Sequence, residues 1–176
     1  MKSNFTELLA EEHSRKQAEY IASIVGSSKS RFSDLLKILL SDNTFLSQRG
    51  SWAVSCCAEV HPEMVQPFLG DLLQNLSRQG LHDAVKRNTM KVVAESALPD
   101  EISGLAVDTS FRLLNSPEES LAARVHAMTV LERMCQREPS LVNELRVTIE
   151  HHLPYEERSG FKTKARRVLK KLDRQS

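Results

Sequence analysis

The stretch that decides the fold is "RNTMKVVAESALP", residues 87–99. Its outline is an arginine, an apolar run and a proline, and that outline returns on both sides. "RGSWAVSCCAEVHP" stands at 49–62 and "RVHAMTVLERMCQREP" at 124–139. The arginines are 38 and 37 residues apart, and the prolines 37 and 40. Aligned on Arg49, Arg87 and Arg124, the positions three, seven and eleven residues on are all apolar. They are Trp52, Cys56 and Val60; Met90, Ala94 and Leu98; Ala127, Leu131 and Cys135. Steps of four keep such positions on one side of a 3.6-residue helix. Each stretch therefore reads as the same helix with the same inward stripe, and each proline marks the turn into the next unit. Weaker copies flank the centre: Arg15 with Ala18, Ala22 and Val25, and Arg166 with Leu169 and Leu172.

A period of about 37–42 residues with two helices per unit is the signature of stacked helical repeats. A lone helix pair cannot cover its own apolar face, so its neighbours cover it. Aromatics make up only 5% of the chain, a poor supply for strands, while helix-forming Leu, Ala, Glu, Lys and Arg are abundant. No low-complexity linker interrupts the 176 residues, so one domain is expected over 1–176. Its units fall at approximately 4–26, 31–60, 62–97, 100–137 and 139–174.

Local signals place the helices. Asn4 and Glu7 have capping-box spacing and open a helix that runs to Gly26. "SDN" at 41–43 caps the helix carrying Trp52, Pro62 opens the next, and Pro67 kinks it. Ser116-Pro117-Glu118-Glu119 reads as a helix start, and Pro139 as another.

One unit makes the likeness specific. "HPEMVQPFLGDLLQNL" (61–76) followed by "DAVKRNTMKVVAESAL" (83–98) resembles a whole HEAT repeat, with Pro62 and Arg87 at the family's positions. The resemblance to HEAT-repeat, armadillo-like helical proteins covers most of the chain. It implies an all-α fold, a right-handed α-α superhelix or solenoid of four to five helical hairpins. The acidic partner of the arginine drifts: Asp83 lies four before Arg87, Asp42 seven before Arg49, Glu118 six before Arg124. A regular Asp–Arg ladder is therefore not expected, although the repeated arginines should be partly buried and paired.

The chemistry-bearing residues read as structure. Cys56 and Cys135 sit on the stripe, Cys57 one residue off it, and no metal or redox spacing occurs. Trp52, equivalent to Met90 and Ala127, reads as core. His151 and His152 end a helix and point about 100° apart, a poor start for a metal site. No catalytic constellation and no phosphate loop is present, so no enzyme activity, cofactor or metal is expected.

Two surfaces stand out. Opposite the stripe lie Ser51, Val54 and Ala58, then Thr89, Val92 and Ser96, all short and uncharged. In helical stacks the second helices line the inner curve, so these residues are candidates for a concave groove that takes a peptide or protein. The other surface is the end of the chain. Residues 160–176 carry seven cations against Asp173, a net +6, which leaves −5 for the rest of a chain whose total is +1. Phe161, Ala165, Val168, Leu169 and Leu172 form the docking stripe of this helix. Lys162, Lys164, Arg166, Arg167, Lys170 and Lys171 are then candidates for contact with phosphate or an acidic partner.

The preferred function is a non-enzymatic protein-interaction module or scaffold. The alternative is nucleic-acid contact through the basic last helix, similar to the HEAT-like alkylpurine DNA glycosylases. Those hold DNA in a basic concave channel lined with aromatic and acidic residues. With one tryptophan at a core position and its cations at one end, this chain is not expected to share that activity. A repeat-type accessory or chaperone subunit is a third reading. The N-terminus lacks a signal-peptide core and no segment is apolar enough to span a bilayer, so a cytoplasmic chain with no membrane partner is expected. Partner identity and homo-oligomeric state are not legible.

Overall fold

The computed structural model describes residues 4–174, whose regular elements are all helices, with no strand among them. The helices are α1 (Phe5–Glu11), α2 (Arg15–Val25), α3 (Lys29–Leu39), α4 (Thr44–Val60), α5 (Pro62–Val65), α6 (Leu69–Asn75), α7 (Asp83–Glu95), α8 (Asp100–Leu114), α9 (Leu121–Arg137), α10 (Leu141–His152) and α11 (Ser159–Leu172). A 3-10 turn, Gln66–Phe68, separates α5 from α6 where Pro67 interrupts the helical ladder.

Most starts follow the caps. Asn43 accepts the Leu46 N–H at 3.0 Å and opens α4, and Pro62 sits in the first turn of α5. Three boundaries differ from the expectation. Asn4 makes no side-chain cap, and the first helix breaks after Glu11 because Ser14 turns extended and accepts the Gln17 N–H at 3.1 Å. Unit 4–26 is therefore itself a helix pair. Ser116-Pro117-Glu118-Glu119 is a turn closed by the Glu119 N–H on the Ser116 carbonyl at 3.1 Å, and Ser120 is the true cap of α9. Proline suits the second position of a turn as well as the first turn of a helix, and here the turn wins. Pro139 likewise lies in a turn, and α10 opens at Leu141.

Contacts cluster into two compact units that divide between Ala97 and Leu98, the seam between the third and fourth expected repeats. In the first unit α4 is the central helix, packed by α1, α2, α3, α5 and α7. Ile21, Phe32, Leu35, Leu72 and Met90 are fully enclosed. Small residues let the backbones close up: a methyl group added at Gly50 would already lie 3.5 Å from the backbone nitrogen of Leu39. In the second unit α9 is central, packed by α8, α10 and α11, around Leu113, Met128, Leu131, Ile149 and Phe161.

The nine-position stripe is interior at Cys56, Met90, Ala94, Leu98, Ala127, Leu131 and Cys135. Two positions depart from it. Trp52 is only half-buried, edge-on to His13 with ring centroids 5.6 Å apart. Val60 ends α4 and is 68% exposed, because the stripe outruns the neighbours that cover it. Cys57, expected off the face, is also buried; α4 has neighbours on several sides.

A second regularity fastens successive repeats inside each unit. Arg49 donates to the Leu9 carbonyl at 2.7 Å, 40 residues back. Arg78 donates to Leu40 O at 2.9 Å, Arg137 to Leu98 O at 2.7 Å and Arg158 to Glu119 O at 3.3 Å, 38, 39 and 39 residues back. Each clasp spends a fixed charge on carbonyls at or beyond a helix end, which lack intrahelical donors. Such a bond contributes about 1 kcal/mol, against roughly 1.5–3 kcal/mol for each enclosed leucine. The stripes hold the fold and the clasps set its register.

Candidate functional site

The six residues expected to line a groove are mostly interior. Ser51, Val54, Thr89, Val92 and Ser96 are buried and Ala58 is half-buried. Ser51 Oγ donates to Gln48 O at 2.7 Å and accepts from Asn88 Nδ2 at 2.9 Å, which ties α4 to α7. Ser96 Oγ returns to Val92 O at 2.7 Å. Short, uncharged side chains on the far face of α4 allow α7 to approach, so this face is an interior seam of the first unit. The groove expectation is corrected accordingly.

The basic helix divides in two. Phe161, Ala165, Val168 and Leu172 are enclosed, which aims one side of α11 inward. Lys164 and Lys171 both reach the buried Glu132 of α9, Lys164 at 2.8 Å. Burial pushes the Glu132 carboxyl up, but the hydrogen bonds and charges of the two lysines outweigh it and hold its pKa below the ordinary value. Those two cations are thus consumed by the fold. Arg166, Arg167 and Lys170 are exposed and Lys162 half-buried, and none has an ion partner among the described residues. Lys162, Arg166 and Lys170 follow at four-residue steps and form one ridge.

The repeated arginines differ. Arg49 is half-buried and stacks over the Phe45 ring at 4.1 Å besides its clasp. Arg87 is exposed. Arg124 is 1% exposed, bound to Glu156 at 2.6 Å and to Leu114 O at 3.1 Å, and lies 4.3 Å from the Phe161 ring centroid. Arg158 grips the same carboxylate from the other side at 2.7 and 2.8 Å. The hydrogen bond from Arg158, against burial, and the charge of Arg124 hold Glu156 down to about 2. Burial draws Arg124 below its ordinary value, with Glu156 opposing.

An open cleft of about 350 Å³ lies along α8, the end of α9 and the start of α10. Val107, Met134 and Leu141 supply its apolar surface, and Asp100, Asp108 and Glu138 its acidic rim. Gly104 leaves the wall of α8 bare: a methyl group added there meets no atom within 4 Å. The sequence reading missed this site. Its one sequence signal is a glycine in the middle of a strong helical pattern. A second cleft of about 400 Å³ lies between α2 and α4, near Ala22, Cys56 and Val60. Among the described residues no three of His, Cys, Asp and Glu gather closely enough to hold a metal ion. No described helix is long and apolar enough to cross a membrane.

Helix pairs recurring at one period, each with an inward stripe, define an all-α helical repeat protein. The chain belongs to the HEAT repeat family, whose domain matches residues 5–172. No curated protein and no solved structure matches it.

Proposed function

We propose that this HEAT-repeat scaffold is a non-enzymatic module that binds a protein or peptide partner. The observation that carries the reading is the α8–α10 cleft, an open groove with an apolar floor on the surface of a helical repeat array. No cofactor is needed for such a role. The three buried free thiols, Cys56, Cys57 and Cys135, suit a reducing compartment such as the cytoplasm. The test is affinity capture from the host followed by calorimetric titration with the purified captured protein. Saturable one-site binding is the expected result. A chain that retains nothing reproducibly, with the fold intact by circular dichroism, sinks the reading.

The cationic ridge of α11 favours a second reading, contact with nucleic acid. Its three aligned cations would give a salt slope near −3 on duplex DNA, from about −0.9 per phosphate neutralised. Titration against duplex and single-stranded DNA decides this, and absence of binding at low salt removes it.

A further inference from the structure

We propose that the α8–α10 cleft is a docking site for a basic amphipathic segment of a partner protein, and that Gly104 is the position that keeps it open. The inference rests on the protein-binding reading above and names its site and the chemistry of its occupant.

Gly104 lies inside α8, four residues from its start. A glycine in a helix interior destabilises the helix relative to alanine. Three other glycines have a reason in the fold. Gly26 and Gly80 have positive φ, and Gly50 faces the Leu39 backbone so closely that a side chain longer than a methyl would collide. Gly104 has neither reason: its φ is not positive, and the space beside it is empty. The fold would accept a larger residue and gain stability by it. What the missing side chain provides is a bare stretch of α8 surface beside Val107, Met134 and Leu141. A large side chain or the backbone of a ligand can come close only over such a surface.

The rim defines the charge of the occupant. Asp108 and Glu138 flank the floor; Asp100 is paired with the one cation there, Arg137, which also donates to the Leu98 carbonyl, so the rim keeps a net charge of −2. This arrangement repels phosphate and attracts lysine or arginine. A helical segment meets Asp108 with a cation one turn away from a large aliphatic or aromatic residue set over Gly104. The basic α11 of a second copy does not fit, because its apolar residues Phe161, Val168 and Leu172 are enclosed in their own unit.

The experiment uses the full chain and two fluorescently labelled synthetic helical peptides, one of Lys and Leu in amphipathic order and the other with Glu in place of Lys. Fluorescence anisotropy should show saturable binding of the Lys/Leu peptide and about tenfold weaker binding, or none, of the Glu/Leu peptide. Gly104→Leu fills the cleft without meeting the fold, so its Tm should equal or exceed that of the wild type while Lys/Leu affinity falls at least about tenfold. Asp108→Lys should weaken the same peptide by a smaller factor. Failure of the Lys/Leu peptide to bind, equal binding by Gly104→Leu and wild type, or equal binding of the two peptides overturns the proposal. A captured natural partner that still binds Gly104→Leu removes this site and leaves the scaffold reading in place.

Discussion

Helices α4 and α9 hold the same place in two units of one repeat pattern, yet they satisfy their polar interior by different chemistry. Around α4 the buried polar groups are neutral and short. Ser47 donates to Leu39 O at 2.5 Å, and Ser51 joins Gln48 and Asn88. Around α9 buried ion pairs join the neutral Thr109 and Ser110: Arg124 and Arg158 with Glu156, and Glu132 with Lys164 and Lys171. Neutral hydrogen bonds tolerate small shifts of pH and salt. Buried ion pairs recover their desolvation only while both partners remain charged. A common backbone frame thus yields one unit whose buried contacts at the central helix are neutral and one whose buried contacts there are charged.

The largest break in this comparison is expected at Arg124. Arg124→Ala leaves the buried Glu156 with one of its two cations and should cost about 3–5 kcal/mol in denaturant melts. Acid should sharpen the contrast next. Glu156 is held at about 2 in the folded chain against an ordinary 4.5, so its contribution is full above pH 4.5 and fades as pH falls toward 2. Glu132, also shifted down, acts in the same direction. Hydrogen exchange at falling pH should therefore show α9 and α11 losing protection before α4 and α7; simultaneous loss, or the reverse order, contradicts the comparison. Asn88→Ala removes a neutral bond of the first unit and should cost about 1 kcal/mol by thermal melting, with no added acid sensitivity. Arg49→Ala loosens one clasp by a similar amount. Arg87→Ala, at the second of the three aligned arginines, should stay within about 0.5 kcal/mol, because that side chain is exposed.

Much of the fold was legible because periodicity survives substitution. Met90 and Leu131 share a residue type with few of their equivalents, but four-residue steps put them on one face and both are enclosed. The same place beside that stripe leaves Arg124 buried, Arg49 half-buried and Arg87 exposed, so place alone did not decide the burial of the repeated arginines. The inner face of α4 and α7 was misread for a physical reason. Small uncharged residues favour close approach by any surface, and the sequence does not say whether the approaching surface is a partner or the next helix. Charge on α11 was legible as a total and not by residue, since Lys164 and Lys171 differ from Lys162 and Lys170 only in facing Glu132. The α8–α10 cleft was hidden because three helices build it, and Gly104 is a signal only once its neighbours are known to be absent.

The arginine clasps bear on how an array of this kind can grow. Donor and acceptor lie one period apart, so tandem duplication of a whole module copies the fastener together with its anchorage and adds one link without disturbing earlier ones. An insertion of a few residues inside a module slides a guanidinium past its carbonyl. Lengthening by complete modules is therefore mechanically cheap, and lengthening by fractions is not.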